Sequence, residues 1–293
     1  MADRLLPRIR LVDVFGDRPM AGNPLAVVVD SEGLSTEQML EITRWLNFSE
    51  TTFLSPPTSP EADYKVRIFT LAGELPFAGH PTLGSCHVWQ SLADESRDEI
   101  VQECGVGLVR IRRHGTRISF EAPDLIRDGP VDPDQLGGLA AVLGIELIDI
   151  RAARWVDNGP GWVGLLLEDA DVVRGLRPDF SKGTGGKLDI GVAGMYPDGW
   201  ETAYEVRAFF SGERGEMLED PVTGSLNASL AQWMLAEGWV KTPYVASQGS
   251  ALGRSGRIHI SGDADSVWVG GQVFDIVDGH LADFPAGAHP AQT

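Results

Sequence analysis

Cysteine is scarce in this chain: only Cys86 and Cys104 occur, with no C-x-x-C spacing and no His/Cys cluster around them. No thiol-based metal site is therefore expected. Long hydrophobic runs are absent too. No stretch of about 18 apolar residues exists to span a membrane. The N-terminal MADRLLPRIRLVDVF scatters charges where a signal peptide would have an apolar core. Basic residues are few, 24 against 42 acidic ones, for a net charge of −18. Such a chain repels a polyanion unless it carries a local basic patch. The nearest candidate, Arg110 to Arg113, alternates basic and apolar residues, as a half-buried strand with one charged face does. Nucleic-acid and membrane partners are thus set aside. The acidic surface favours solubility, and a reducing cytoplasm is the expected compartment.

What is present suits a soluble α+β protein of two domains. Apolar residues make up 43% and charged residues 23% of 293, enough for two cores of about 100–150 residues each. Ile9–Phe15 and Leu25–Val29 read as strands around an Ala21-Gly22-Asn23-Pro24 turn. Ser35-Thr36-Glu37-Gln38 has the form of a capping box, after which Met39, Ile42, Trp45 and Leu46 recur at helical spacing. Tyr64–Thr70 alternates as a strand. Gly79-His80-Pro81-Thr82 opens a helix continued by Val88, Trp89 and Leu92, with Pro81 suited to its first turn. Ile100–Val101, Leu108–Arg112 and Arg117–Phe120 read as a meander. The Pro- and Asp-rich stretch 122–134 marks a boundary, giving domains at 1–122 and 123–266. A strand from 267–293 is expected to complete the first.

The second half repeats the first. Val66-Arg67-Ile68-Phe69 aligns with Val206-Arg207-Ala208-Phe209. Counted forward without a gap, His80-Pro81 falls on Asp220-Pro221 and Gly84-Ser85 on Gly224-Ser225, with six of twenty positions identical. The shared register favours duplication over two unrelated modules.

Two copies of one loop-to-helix unit present two helix N-termini, each able to hold a carboxylate. His80 in one copy and Asp220 in the other break the symmetry where proton chemistry would want it. Each has a plainer reading, His80 as a packed or capping residue and Asp220 as a helix N-cap before Pro. Ser225 reads equally as a local cap and as a ligand contact; Thr82 and Thr223 give weaker signals. Glu50, in Asn47-Phe48-Ser49-Glu50-Thr51-Thr52-Phe53, lies at a helix-to-strand junction. A Glu there is ordinarily solvated. Enclosed in an apolar cleft, it would hold a raised pKa and serve as both base and acid.

Competing motifs fail. Ser181-Lys182-Gly183-Thr184-Gly185-Gly186-Lys187 lacks the first glycine of a phosphate loop and its final Ser or Thr. No strand-borne G-x-G-x-x-G supports a dinucleotide site, and no G-x-S-x-G elbow is present. Cys86 reads as a small core residue.

The segments DVFGDRPMAGNPLAVV, NFSETTFL, VRIFTLAGELPFAGHPTLGS, EDPVTGSLNASLAQW and SQGSALGRSGRIHI extend from Asp13 to Ile260. Together they resemble the PhzF-like family of isomerases. The resemblance implies a diaminopimelate-epimerase-like fold: two pseudo-symmetric domains, each a curved, mostly antiparallel sheet around a central helix, with the active site between them. It implies a homodimer with no cofactor and no metal. The family's namesake isomerises trans-2,3-dihydro-3-hydroxyanthranilate, a glutamate moving a proton from one ring carbon to another. That glutamate corresponds to Glu50. The His of AGHP corresponds to His80, and the Asp and Ser of ED-x-x-TGS to Asp220 and Ser225. Gly79, Gly224 and Gln248 correspond to substrate-site positions. One departure is Pro221-Val222, where the namesake has alanines after ED. A two-base amino-acid epimerase and a non-catalytic small-molecule-binding homologue are the alternatives; a hydrolase lacks a nucleophile–base pair.

Overall fold

The computed structural model describes residues 7–93, 97–182, 189–211, 217–262 and 266–281. Of the phosphate-loop-like segment, residues 183–187 fall outside them. The chain is α+β and divides into two units. The first comprises Met1–Val14, Asn23–Phe120 and Gln272–Thr293; the second, Phe15–Gly22 and Glu121–Gly271.

In the first unit, β1 (Arg8–Val14) pairs antiparallel with β2 (Asn23–Val29). Helix α1 (Thr36–Leu46) leads to β3 (Thr51–Ser55), parallel to β2. Ser35 and Gln38 form the expected capping box of α1. Strand β4 (Tyr64–Phe69) follows β3 antiparallel and makes a hairpin with β5 (Glu74–Leu75). Helix α2 (Gly79–Ala93) precedes β6 (Glu99–Cys104), which lies parallel to β4; β7 (Gly107–His114) and β8 (Arg117–Glu121) extend the meander.

In the second unit, β9 (Arg127–Gly129) precedes α3 (Pro133–Leu143) and β10 (Ala152–Asp157). Strand β11 (Trp162–Leu166) pairs antiparallel with β10. Helix α4 (Ala170–Gly175) leads to β12 (Asp189–Met195), parallel to β11. Strand β13 (Tyr204–Ser211) and β14 (Met217–Asp220) make the hairpin before α5 (Gly224–Ala236). Strand β15 (Tyr244–Gln248) is parallel to β13, and is followed by β16 (Gly256–Gly262) and β17 (Val267–His280), each antiparallel to the strand before it. Within the first unit, the part of β17 from Val273 to His280 pairs antiparallel with β1.

The two connectivities match strand for strand, each with two parallel steps bridged by helices, as duplication predicts. Helix α2 is apolar around most of its circumference and is buried along most of its length, as such a helix must be. A Cβ added at Gly84 would stand 2.5 Å from Leu25 Cδ2, so the glycine allows α2 to approach β1 and β2. In the second unit the gap is on the strand instead, with Gly191 accommodating Leu226 of α5. Strand β2 is buried on both faces: its Val28 joins Met39, Ile42, Phe53 and Phe69 under α1. Trp45, grouped with that face by periodicity, is 81% exposed, because the apolar stripe of α1 is centred on Met39 and Ile42.

Candidate active site

Helix α1 stops at Asn47, whose left-handed backbone (φ 56°) turns the chain toward β3. Glu50 is the residue just before β3, where Thr51 pairs with Ala26 on one side and Phe69 on the other. His80 is the second residue of α2 and is 4% exposed. The two side chains meet, with His80 Nε2 3.6 Å from Glu50 Oε2. Glu50 Oε2 is buried and accepts no hydrogen bond. Burial raises the Glu50 pKa from 4.5 to about 7, against a weaker opposing effect of the Ser49 hydroxyl. A carboxyl poised near neutrality can accept a proton and return it.

Polar contacts nearby tie α2 to the strands around it. The Ser85 hydroxyl donates to Thr52 Oγ1 at 2.9 Å, tying α2 to β3. Gln102 donates to Thr82 Oγ1, and Tyr64 donates to Gln102.

In the second unit, Asp220 ends β14. It is not the N-cap of α5; that position belongs to Thr223, whose hydroxyl donates to Asp220 Oδ2 at 2.6 Å. Gln248 is buried beneath this loop. Its amide donates to the Asp220 carbonyl and to Thr223 Oγ1, and its oxygen accepts from Thr223 N–H and Asn227 Nδ2. Both of its N–H bonds and both oxygen lone pairs are thereby engaged. In this structure Gln248 holds the loop through all four of these bonds. Ser225 Oγ accepts from Trp162 Nε1, and its carbonyl accepts from Asn158 Nδ2. Gly79 and Gly224 are the buried first residues of α2 and α5.

The strand pairing corrects the register of the repeat. Phe69 pairs with Glu74 and Phe209 with Glu219, so the second hairpin is five residues longer. Arg67 bridges Glu74 and Arg207 bridges Glu219 in the same way. Gly79 therefore corresponds to Gly224, His80 to Ser225, and Leu75 to Asp220. The ungapped alignment of His80 with Asp220 does not hold.

Sequence reasoning missed Asn158, Trp162 and Asn227 as supports of this loop, and gave Thr223 too little weight. The Asp220–Thr223 spacing was the one visible signal. Among the described residues, no three His, Cys, Asp or Glu side chains cluster as a metal site, and no helix is long and apolar enough to cross a membrane.

Known proteins are similar to this chain in sequence and fold. An uncharacterized isomerase of Pasteurella multocida is 31% identical, the alignment covering 96% of each chain. The trans-2,3-dihydro-3-hydroxyanthranilate isomerase of Pseudomonas aeruginosa is 33% identical over 59% of this chain and 61% of its own. A PhzF-family phenazine biosynthesis protein of Enterococcus faecalis has the same fold, with a TM-score of 0.75 at 24% identity, covering 95% of this chain and 100% of that one. The model of the phenazine biosynthesis-like proteins, PhzC-PhzF, matches residues 12–277, and the chain belongs to that family.

Proposed function

We propose that this protein is an isomerase that moves a proton within a small carboxylate-bearing substrate, with Glu50 as the proton carrier. The carrying observation is the buried Glu50 carboxyl, raised to about pKa 7 and 3.6 Å from His80. Ionised Glu50 takes a proton from a substrate carbon, and the C–H electron pair enters the adjoining π system. The resulting carboxylic acid then returns the proton to a second carbon, giving an enol that relaxes to a ketone. No electron leaves the substrate, so one titratable carboxyl can supply the chemistry without metal or cofactor. His80 orients or polarises the substrate. Asp220, Ser225 and the N–H groups at Gly79 and Gly224 serve to hold its amine, hydroxyl or carboxylate. By the same family reading the protein acts as a cytoplasmic homodimer of diaminopimelate-epimerase-like domains.

An epimerase with one thiol base in each half is disfavoured. Cys86 and Cys104 both fall in the first unit, and burial pushes the Cys86 thiol up to about 12. The Pseudomonas relative's name supplies the first substrate to try, trans-2,3-dihydro-3-hydroxyanthranilate. The purified protein, incubated with it in D₂O and followed by NMR, is expected to give the isomer with deuterium at the reprotonated carbon. Failure either to isomerise this compound and related small carboxylates or to exchange any of their C–H groups would overturn the isomerase reading.

A further inference from the structure

We propose that Thr223 is a positioning residue for Asp220, and that Gln248 acts through it. This rests on the assignment of Asp220 to the site. Thr223 occupies the N-cap position of α5 yet makes no side-chain cap bond. Its hydroxyl donates instead to Asp220 Oδ2 at 2.6 Å.

Gln248 fixes the direction of that bond. Gln248 Nε2 donates to Thr223 Oγ1 at 2.9 Å. The hydroxyl therefore accepts on one side, and its single proton is aimed at the carboxylate. Gln248 is held in turn: its oxygen accepts from Thr223 N–H and from Asn227 Nδ2, at 3.0 and 2.7 Å. Asn227 Nδ2 also donates to the Thr223 carbonyl. Gln248 and Asn227 are both 1% exposed or less. The chain Asn227–Gln248–Thr223–Asp220 thus runs from the buried face of α5 to one carboxylate oxygen.

The duplicated unit provides an internal control. In the corrected register Ala78 stands where Thr223 does, and Leu75 where Asp220 does. Cys104 takes the place of Gln248, one step beyond the Lys65–Glu103 pair. The same hairpin-to-helix turn therefore forms in the first unit with none of the three polar residues. Thr82, the counterpart of Asn227, keeps the bond to the Ala78 carbonyl, so what the second unit adds is the link from that turn to a carboxylate.

The test compares Thr223→Val, which keeps the shape and loses the hydroxyl, with Thr223→Ser, which keeps the hydroxyl. In protein labelled with ¹³Cγ-aspartate, the Asp220 signal is identified by its loss in Asp220→Asn. Thr223→Val is expected to move that signal, and Thr223→Ser to leave it near its wild-type position. This arm needs no substrate, so it stands even if the isomerase reading fails. With trans-2,3-dihydro-3-hydroxyanthranilate as the probe, loss of a hydrogen bond to a charged group predicts that Thr223→Val lowers kcat about 10- to 100-fold. KM should change little, and Thr223→Ser should restore the rate. An unmoved Asp220 signal in Thr223→Val overturns the proposal. So does an equal loss of rate in both folded variants. A wild type inactive on the probe would count against the function, and the NMR comparison alone would then decide the Thr223 assignment.

Discussion

Replacing Glu50 by Gln should stabilise the protein, and increasingly so as pH rises. The folded-state pKa of Glu50 is about 7 against an ordinary 4.5. Below about pH 4.5 the carboxyl is protonated in both folded and unfolded chains, and its burial carries no ionic penalty. Above pH 7 it is ionised in both, and the folded state bears the cost of a desolvated carboxylate. The native state binds the extra proton between these values, so stability is lost as pH rises through that window. At about 1.4 kcal/mol per pKa unit, the full penalty is about 3 kcal/mol. Roughly a quarter of it is already present at pH 5 and nearly all of it at pH 8.5. Gln is nearly isosteric and uncharged, so Glu50→Gln should gain about 2–3 kcal/mol relative to wild type between pH 5 and pH 8.5. That corresponds to a widening of the Tm difference by about 5–10 °C. Thermal unfolding of both proteins across this range measures it. A Tm difference that stays flat with pH would refute the claim that Glu50 is buried with a raised pKa.

Further predictions follow from the same geometry. If ionised Glu50 accepts the first proton, kcat/KM should rise with pH through an apparent pKa of about 7; a limb near 4.5 would mean a solvated carboxyl. The Arg207–Glu219 pair is 6% and 12% exposed, whereas Arg67–Glu74 is 28% and 40% exposed. Glu219→Ala, which strands a buried guanidinium, should cost about 3–5 kcal/mol, and Glu74→Ala about 1 kcal/mol or less, by chemical denaturation. Gly84→Ala should cost about 1–3 kcal/mol, because the new methyl meets Leu25. Gly137→Ala, inside α3 with nothing within 4 Å, should gain about 0.5–1 kcal/mol.

Local signals in the sequence were faithful where the physics is local. Ser35 and Gln38 specify the start of α1 through bonds within one turn. The alternation around Val109 and Ile111 gave β7 its buried and charged faces correctly. The duplication was legible because Arg67 and Arg207 recur in matching strands. Its register was not, because hairpin length is set by the turn rather than by the strands it joins, and an ungapped count passed over five extra residues. Glu50 was identifiable only by its resemblance to a family motif. A carboxylate after a helix is ordinarily solvated, and its burial here comes from α2, whose contact with β3 links residues far apart in sequence. The role of Gln248 was likewise invisible, since its partners Asp220, Thr223 and Asn227 are 21 to 28 residues away.

The most direct test of Glu50 as the proton carrier is a paired measurement in D₂O. Wild type and folded Glu50→Gln are incubated with trans-2,3-dihydro-3-hydroxyanthranilate, and deuterium at the product carbon is followed by NMR. Wild type should isomerise the compound and incorporate deuterium, while Glu50→Gln should lose at least about 10²–10⁴-fold in rate. Isomerisation by Glu50→Gln at the wild-type rate, with the same labelling, would contradict the assignment.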